Sequence, residues 1–309
     1  MKFSFSFRKT GLKFLYGVYN NKESMKKIIW LCAAIIVFIS CKKDYSLENG
    51  SNLNNGLIVG IDCRLSKIST YDSASGVPLG SIAANINAKD TVTDITQFDS
   101  LAFTILFYTP ISYNPDTIHI NADEYFVADA TQGGRIKLLH GLTDPADPFS
   151  PPFDADYTYN ASNQLVTKSY SFSSSPGIPY YVVDYTYTGG NLSHMTGTDM
   201  FFGELIVDAD INYFVNITPK NFLYLFPDEL TYTHYNQFFN FGKRPSNAVK
   251  DLKVRYYDPG LVVRDSTVSR FNTYIMSRDN YVLSVYMNGD DQFSIPAEAG
   301  KLTFSYKCK

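Results

Sequence analysis

Four histidines, several close pairs of aspartate and four cysteines are the residues of this 309-residue chain best suited to chemistry. His119, His140, His194 and His234 stand on separate segments, and none has the His-x-His or i,i+4 partner that grips a metal. Each is expected at a surface or in packing. The chain has no Gly-x-Ser-x-Gly elbow, no Ser-x-x-Lys set and no glycine-rich phosphate loop. Asp144 and Asp147, Asp154 and Asp156, Asp208 and Asp210, and Asp290 and Asp291 bring carboxylates close in sequence. Such pairs can hold calcium through hard oxygen ligands, or act as acid and base on a glycosidic bond. None follows the Asp-x-Asp-x-Asp-Gly loop, and aspartate is also a preferred turn and cap residue, the role expected here. No catalytic residue, metal ligand or cofactor is assigned. The chain is expected to be non-enzymatic, with a hydrolase using paired aspartates as a further alternative.

The cysteines lead to the front of the chain. Met25-Lys26-Lys27 is a short basic segment, followed by an apolar run over residues 28–40 and then by Cys41. That run is too short to be a comfortable permanent span. Phe38-Ile39-Ser40-Cys41 resembles the lipobox of bacterial lipoprotein signals, departing from the usual leucine at Phe38. The resemblance implies that residues 25–40 are a signal peptide and that Cys41 is lipidated as the first mature residue. An uncleaved anchor is the other reading. Residues 1–24 are then a dispensable upstream extension or a mis-assigned start, with Met25 as initiator. Residues 41–56 are rich in Asn, Ser and Gly and read as a lipidated flexible tether, ahead of a single β-rich domain over residues 57–309. Lys42-Lys43-Asp44 is similar to the charged export tracts of Bacteroidota surface lipoproteins. This implies an outer-membrane location, lipid-anchored and facing either the periplasm or the cell exterior.

Cleavage before Cys41 changes the charge. The full chain carries 27 Lys/Arg and 30 Asp/Glu, a net −3. Seven of those bases and one of those acids precede Cys41, so 20 and 29 remain and the mature net charge is −9. A domain that acidic lacks the basic footprint of a nucleic-acid binder and is repelled by anionic lipid, so its partner membrane is reached through acyl chains. The one tryptophan, Trp30, leaves with the signal.

Beyond Leu57, apolar residues alternate with period two. Val59, Ile61, Cys63 and Leu65 share a parity, as do Leu252, Val254 and Tyr256; Tyr281, Leu283, Val285 and Met287; and Leu302, Phe304, Tyr306 and Cys308. Gly133-Gly134, residues 160–163, Gly189-Gly190, Asp258-Pro259-Gly260 and Asn288-Gly289 punctuate these rows as turns. The expected fold is all-β with at most one or two short helices: a curved, mostly antiparallel sheet or sandwich built from consecutive hairpins. The one helix to consider covers about residues 228–240. Asp156-Tyr157-Thr158-Tyr159, a turn and Asn163-Gln164-Leu165 recur after 28 residues as Asp184-Tyr185-Thr186-Tyr187, a turn and Asn191-Leu192. Stacked units would align these tyrosines as cross-strand ladders, with Arg255 to Leu261 as a degenerate third copy.

These Tyr-x-Tyr strands and Asn-x-Leu returns, behind a lipoprotein signal, resemble the Bacteroidota lipoproteins of unknown function that carry YD-like hairpin repeats. The resemblance covers roughly residues 57–309, implies a curved antiparallel sheet and brings no catalytic residues. With Cys32 in the removed segment and Cys41 lipidated, Cys63 and Cys308 remain, each with the inward parity of its strand. In an oxidising envelope they are expected to form a disulfide between first and last strands, two buried free thiols being the alternative.

The aromatic excess, 24 Tyr and 23 Phe, includes Tyr180-Tyr181, Phe201-Phe202, Phe238-Phe239-Asn240-Phe241 and Tyr256-Tyr257. One ring of each pair is expected in the core and its neighbour as cover on the outer sheet face. Together these features point to a lipid-anchored envelope protein whose β-domain binds an unknown protein or polymer. An accessory glycan-binding surface lipoprotein is the runner-up.

Overall fold

The computed structural model describes residues 63–89, 91–143, 151–225, 233–289 and 299–308. The expected signal over residues 25–40, Cys41 and the expected tether over residues 41–56 lie outside these residues, as do Asp144, Asp147, Asp290 and Asp291. Among the described residues seventeen strands follow one another: β1 Cys63–Asp72, β2 Pro78–Ile86, β3 Val92–Asp99, β4 Thr104–Pro110, β5 Ser112–Asn114 and β6 Thr117–His119 come first. Next are β7 Tyr125–Asp129, β8 Arg135–Leu142, β9 Pro152–Tyr159, β10 Leu165–Phe172, β11 Pro179–Thr188 and β12 Asn191–Asp199. The last five are β13 Glu204–Tyr213, β14 Val249–Asp258, β15 Val262–Met276, β16 Val282–Asn288 and β17 Ala299–Cys308. Of the helix expected over residues 228–240, the described part holds one turn, Thr233–Asn236.

All strands belong to one antiparallel sheet, and the sheet closes on itself because β17 pairs with β1 over nine residue pairs, from Cys63↔Cys308 to Asp72↔Gly300. The ring passes from β4 to β5 through the chain itself: Ile111, between them, donates its N–H to the Thr93 carbonyl at 2.9 Å. β6 pairs with β5 rather than β4, and β16 joins β15 only from Arg270 onward.

The inside of this barrel is apolar and most of the outside polar, with Ile105, Leu106 and Tyr108 of β4 and Val262, Val263 and Ile275 of β15 exposed. Inward rungs carry Ile68, Ile82, Ile95, Val183, Val207, Val254 and Leu302, all nearly or fully buried. The neighbouring outward rung runs Thr167, Asp184, Thr196, Asp208, Arg255 and Ser266 across β10 to β15. On β17 the outward positions are Lys301, Thr303 and Ser305, opposite Tyr71, Ser69 and Lys67 of β1. This is the one-sided alternation of the sequence, wrapped into a tube.

A plug fills one end. The described parts of the connection from β13 to β14, residues 214–225 and 233–248, turn inward and bury Phe222, Leu223, Tyr224, Leu225, Phe238, Phe239 and Phe241. Phe126 of β7 meets Phe239 at 5.5 Å and Phe241 at 5.8 Å between ring centroids, and Phe222 meets Phe304 of β17 at 5.5 Å. The plug is also stitched to the wall by backbone bonds: Ile136 N–H to the Asn240 carbonyl at 2.8 Å and Lys243 N–H to the Asn163 carbonyl at 2.6 Å. Its aromatics are therefore enclosed on every side, so adjacent residues Phe238 and Phe239 are both buried instead of one facing water.

Candidate functional site

The two cysteines of the domain do meet. Cys63 and Cys308 form a disulfide with Cα atoms 4.0 Å apart, 245 residues apart in sequence, at the seam where first and last strands join. Cys63 is buried and donates its backbone N–H to the Tyr281 hydroxyl at 3.0 Å. Cys308 is exposed at the strand end, so its parity matches Phe304 and Tyr306 but its position is outside the core.

The repeated Tyr-x-Tyr motifs form consecutive hairpins, β9–β10 and β11–β12. Their inward rings do not ladder against each other, because β10 runs between them. Lys168 of β10, fully buried, places its ammonium 5.8 Å from the Tyr157 ring, 5.9 Å from Tyr170 and 6.0 Å from Tyr185. The rings thus form a cation–π enclosure around one amine. The proposed third copy is a correction: β14 runs opposite to β9 and β11, so its turn lies at the other end of the barrel.

His119, His140 and His194 lie on the outer face with Asp154, Asp156, Asp208 and Asp210, while the His234 side chain lies outside the described residues. His140 Nδ1 approaches Asp154 Oδ1 at 2.6 Å and Ser173 Oγ at 3.4 Å, with the ring stacked on Tyr125. Serine and carboxylate share one ring nitrogen, whereas a nucleophilic triad needs them on opposite nitrogens. Asp208 and Asp210 are bridged by Arg255, which donates to Asp208 at 2.6 and 2.9 Å and to Asp210 at 2.7 Å. His194 Nδ1 adds a contact to Asp210 at 2.9 Å. This pair is therefore engaged by a guanidinium, which offsets one of its two charges, rather than open to a cation. Asp156, beside Asp154, has its pKa raised by burial and then by its neighbour's charge. Among the described residues, no group of three His, Cys, Asp or Glu is placed to hold a metal. Asp72, Asp99, Asp129 and Asp199 accept backbone N–H groups two or three residues on, the turn chemistry expected of aspartate.

The aromatic pairs divide three ways. Tyr181 is in the core while Tyr180 covers the sheet against Phe172, as expected. Phe201 and Phe202 are both exposed, at 66% and 77%, on the turn between β12 and β13. They share the barrel end opposite the plug with Leu101, Phe103, Ile178 and Leu261, each on a hairpin turn.

The most ligand-like feature was not evident in the sequence. At the plug end a cavity of about 740 Å³ opens between the wall and the plug's residues 219–224 and 237–246, lined by Arg64, Tyr113, Asn221, Lys243 and Arg244 among others. Arg244 donates to the carbonyls of Phe222 and, at 2.7 Å, Gln237, and its guanidinium lies 4.0 Å from the Tyr224 ring centroid. Tyr224 is itself clamped: its N–H donates to Gln237 Oε1 at 3.0 Å, its carbonyl accepts from Gln237 Nε2 at 2.9 Å, and its hydroxyl donates to the Gly242 carbonyl at 2.7 Å. Arg64 donates to the Phe238 carbonyl at 2.8 Å from the opposite wall. Burial lowers the Arg244 pKa and raises that of Tyr224. The described lining includes two arginines and a lysine and no carboxylate. The adjacent Lys243-Arg244 was the only local signal; Arg64 lies too far away in sequence to be linked with it.

No protein-family model matches the chain, and no curated protein matches it. Among solved structures, a porin-like protein from Bacteroides uniformis superposes with a TM-score of 0.51 at 11% identity, covering 79% of this chain and 98% of that one. A porin-like protein from Bacteroides vulgatus gives 0.49 at 13% identity, covering 80% and 99%. The first likeness is one of fold.

Proposed function

We propose that the protein is a non-enzymatic, lipid-anchored binding module of the cell envelope, held at the outer membrane through Cys41. One observation carries this reading: the barrel interior is packed and apolar while its outer face carries charges, and the exposed large apolar side chains are confined to β4, β5, β15 and the connections between strands. A membrane-spanning barrel presents an apolar band to lipid, and charges at its midplane cost about 2–4 kcal/mol each for Arg or Lys. An exterior bearing Asp184, Asp208, Lys253, Arg255 and Lys301 fits water, so membrane attachment has to come from elsewhere in the chain. The lipobox-like residues at Cys41 are the feature suited to it. The porin-like neighbour from Bacteroides uniformis agrees with an envelope setting, while the packed interior argues against a conducting channel.

The glycan-platform alternative gains little, since the repeat tyrosines Tyr157 and Tyr185 are buried. The hydrolase alternative gains nothing from His140 or from the Arg255-bridged pair.

Metabolic labelling with an alkyne fatty acid, followed by fractionation, tests the proposal. The wild-type protein is expected labelled and in the membrane fraction, and Cys41→Ala unlabelled and soluble. A Cys41→Ala protein that resists carbonate extraction from membranes refutes it.

A further inference from the structure

We infer that the cavity at the plug end is a binding site for a small, multiply charged anion bearing clustered phosphate or carboxylate groups. The inference rests on the binding-module reading but not on the lipid anchor.

The argument begins with charge. Residues 41–309 carry 20 Lys/Arg against 29 Asp/Glu, and on the outer wall Arg255 faces two carboxylates. Yet the described lining of this one concavity draws on Arg64, Lys243 and Arg244 and contains no Asp or Glu. A guanidinium taken out of water without a carboxylate partner is costly, and proteins retain that arrangement where something else supplies the negative charge. Arg244 is such a group: it donates to the neutral carbonyls of Phe222 and Gln237 and is hydrogen-bonded to the Tyr224 hydroxyl, none of them a carboxylate.

Geometry adds rigidity. The stack on Tyr224, and the reciprocal bonds between Tyr224 and Gln237, fix the guanidinium plane before any ligand arrives. A fixed planar fork suits phosphate or carboxylate oxygens, which accept two parallel N–H bonds. Lys243 is exposed beside it and supplies a mobile point charge at the mouth. The cavity volume of about 740 Å³ lies within the range of small-molecule sites. Clustered cations inside a concave, partly apolar wall also focus field lines, so the anion is drawn in despite the acidic exterior.

Calorimetric titration of the detergent-solubilised full-length protein tests the inference, with inorganic pyrophosphate and citrate as anions and maltotriose as the neutral control. Binding of pyrophosphate or citrate that weakens with added salt is expected, and the tighter of the two identifies phosphate or carboxylate as the preferred group. Lys243→Gln, at an exposed position, is expected to weaken it about tenfold, the effect of one charge-assisted contact. Arg244→Gln is expected to abolish it, with circular dichroism confirming the fold. Absence of heat with either anion at millimolar concentration overturns the inference. So does binding that Lys243→Gln leaves unchanged, or binding of maltotriose with equal affinity. Failure here leaves fatty-acid labelling at Cys41 unaffected, so the two proposals fail separately.

Discussion

The Cys63–Cys308 bridge gives a prediction whose size follows from the chain itself. It spans 245 residues, nearly the whole domain. In the chain-entropy model the cross-link lowers the unfolded-state entropy by an amount that grows with the logarithm of loop length, and for this loop the stabilisation comes to about 5.5 kcal/mol. For a domain of this size each kcal/mol moves Tm by roughly 2–4 °C, so the bridge is worth roughly 10–20 °C. The perturbation is the double variant Cys63→Ser/Cys308→Ser, compared with oxidised wild type by calorimetry. The β1–β17 ladder keeps its nine pairs in the variant, so the native barrel should persist with unchanged far-ultraviolet circular dichroism. The loss is expected to arise in the unfolded chain. A larger urea m-value in the variant is the accompanying sign, because an unbridged chain expands further. A shift below about 3 °C with the same m-value would refute the reasoning, since the model requires the longest loops to gain the most.

Two further predictions concern packing and charge. Phe126→Ala removes a fully buried ring that touches Tyr235, Phe239 and Phe241, and should cost about 3–5 kcal/mol in urea unfolding; a cost under about 1 kcal/mol would mean the plug does not depend on it. For Asp210, burial alone would raise the pKa, but Arg255 and His194 outweigh it and hold the carboxyl below its ordinary value. A depressed folded pKa contributes stability that is present above the unfolded value of about 3.9 and is lost as pH falls through the folded one. Arg255→Gln should therefore flatten the fall of Tm with pH below about pH 4, and an unchanged acid limb would count against the bridge.

The wall of the barrel was legible because its physics is local. Period-two rows such as Leu252, Val254 and Tyr256 report one buried face, and turn pairs such as Gly189-Gly190 report where strands reverse. The partnership of Cys63 and Cys308 was legible by elimination, and with it the adjacency of first and last strands. Closure of the sheet was not, since the same alternation describes a sandwich. The plug escaped because it obeys neither helical nor strand periodicity: Phe238, Phe239 and Phe241 are all buried, and Phe239 and Phe241 both pack on Phe126. Phe201 and Phe202 look similar in sequence yet are both exposed, since nothing described packs around their turn. The echo at Arg255 to Leu261 misled because a Tyr-Tyr strand before a turn carries no sign of which end of the barrel that turn occupies. The cationic cavity depends on residues some 180 positions apart, a distance no local pattern spans.

The seam between β1 and β17 also has a consequence in time. β1 has β2 beside it almost at once, but its second neighbour is the last strand to be made. Until β17 arrives, the nascent sheet carries a long unpaired edge at β1, the kind that invites pairing with another chain. Contacts this distant in sequence slow folding, and slow, edge-exposed intermediates are aggregation-prone. The barrel therefore completes only after its final residues are available, and Lys67 on that waiting edge is the kind of charge that discourages the wrong partner meanwhile.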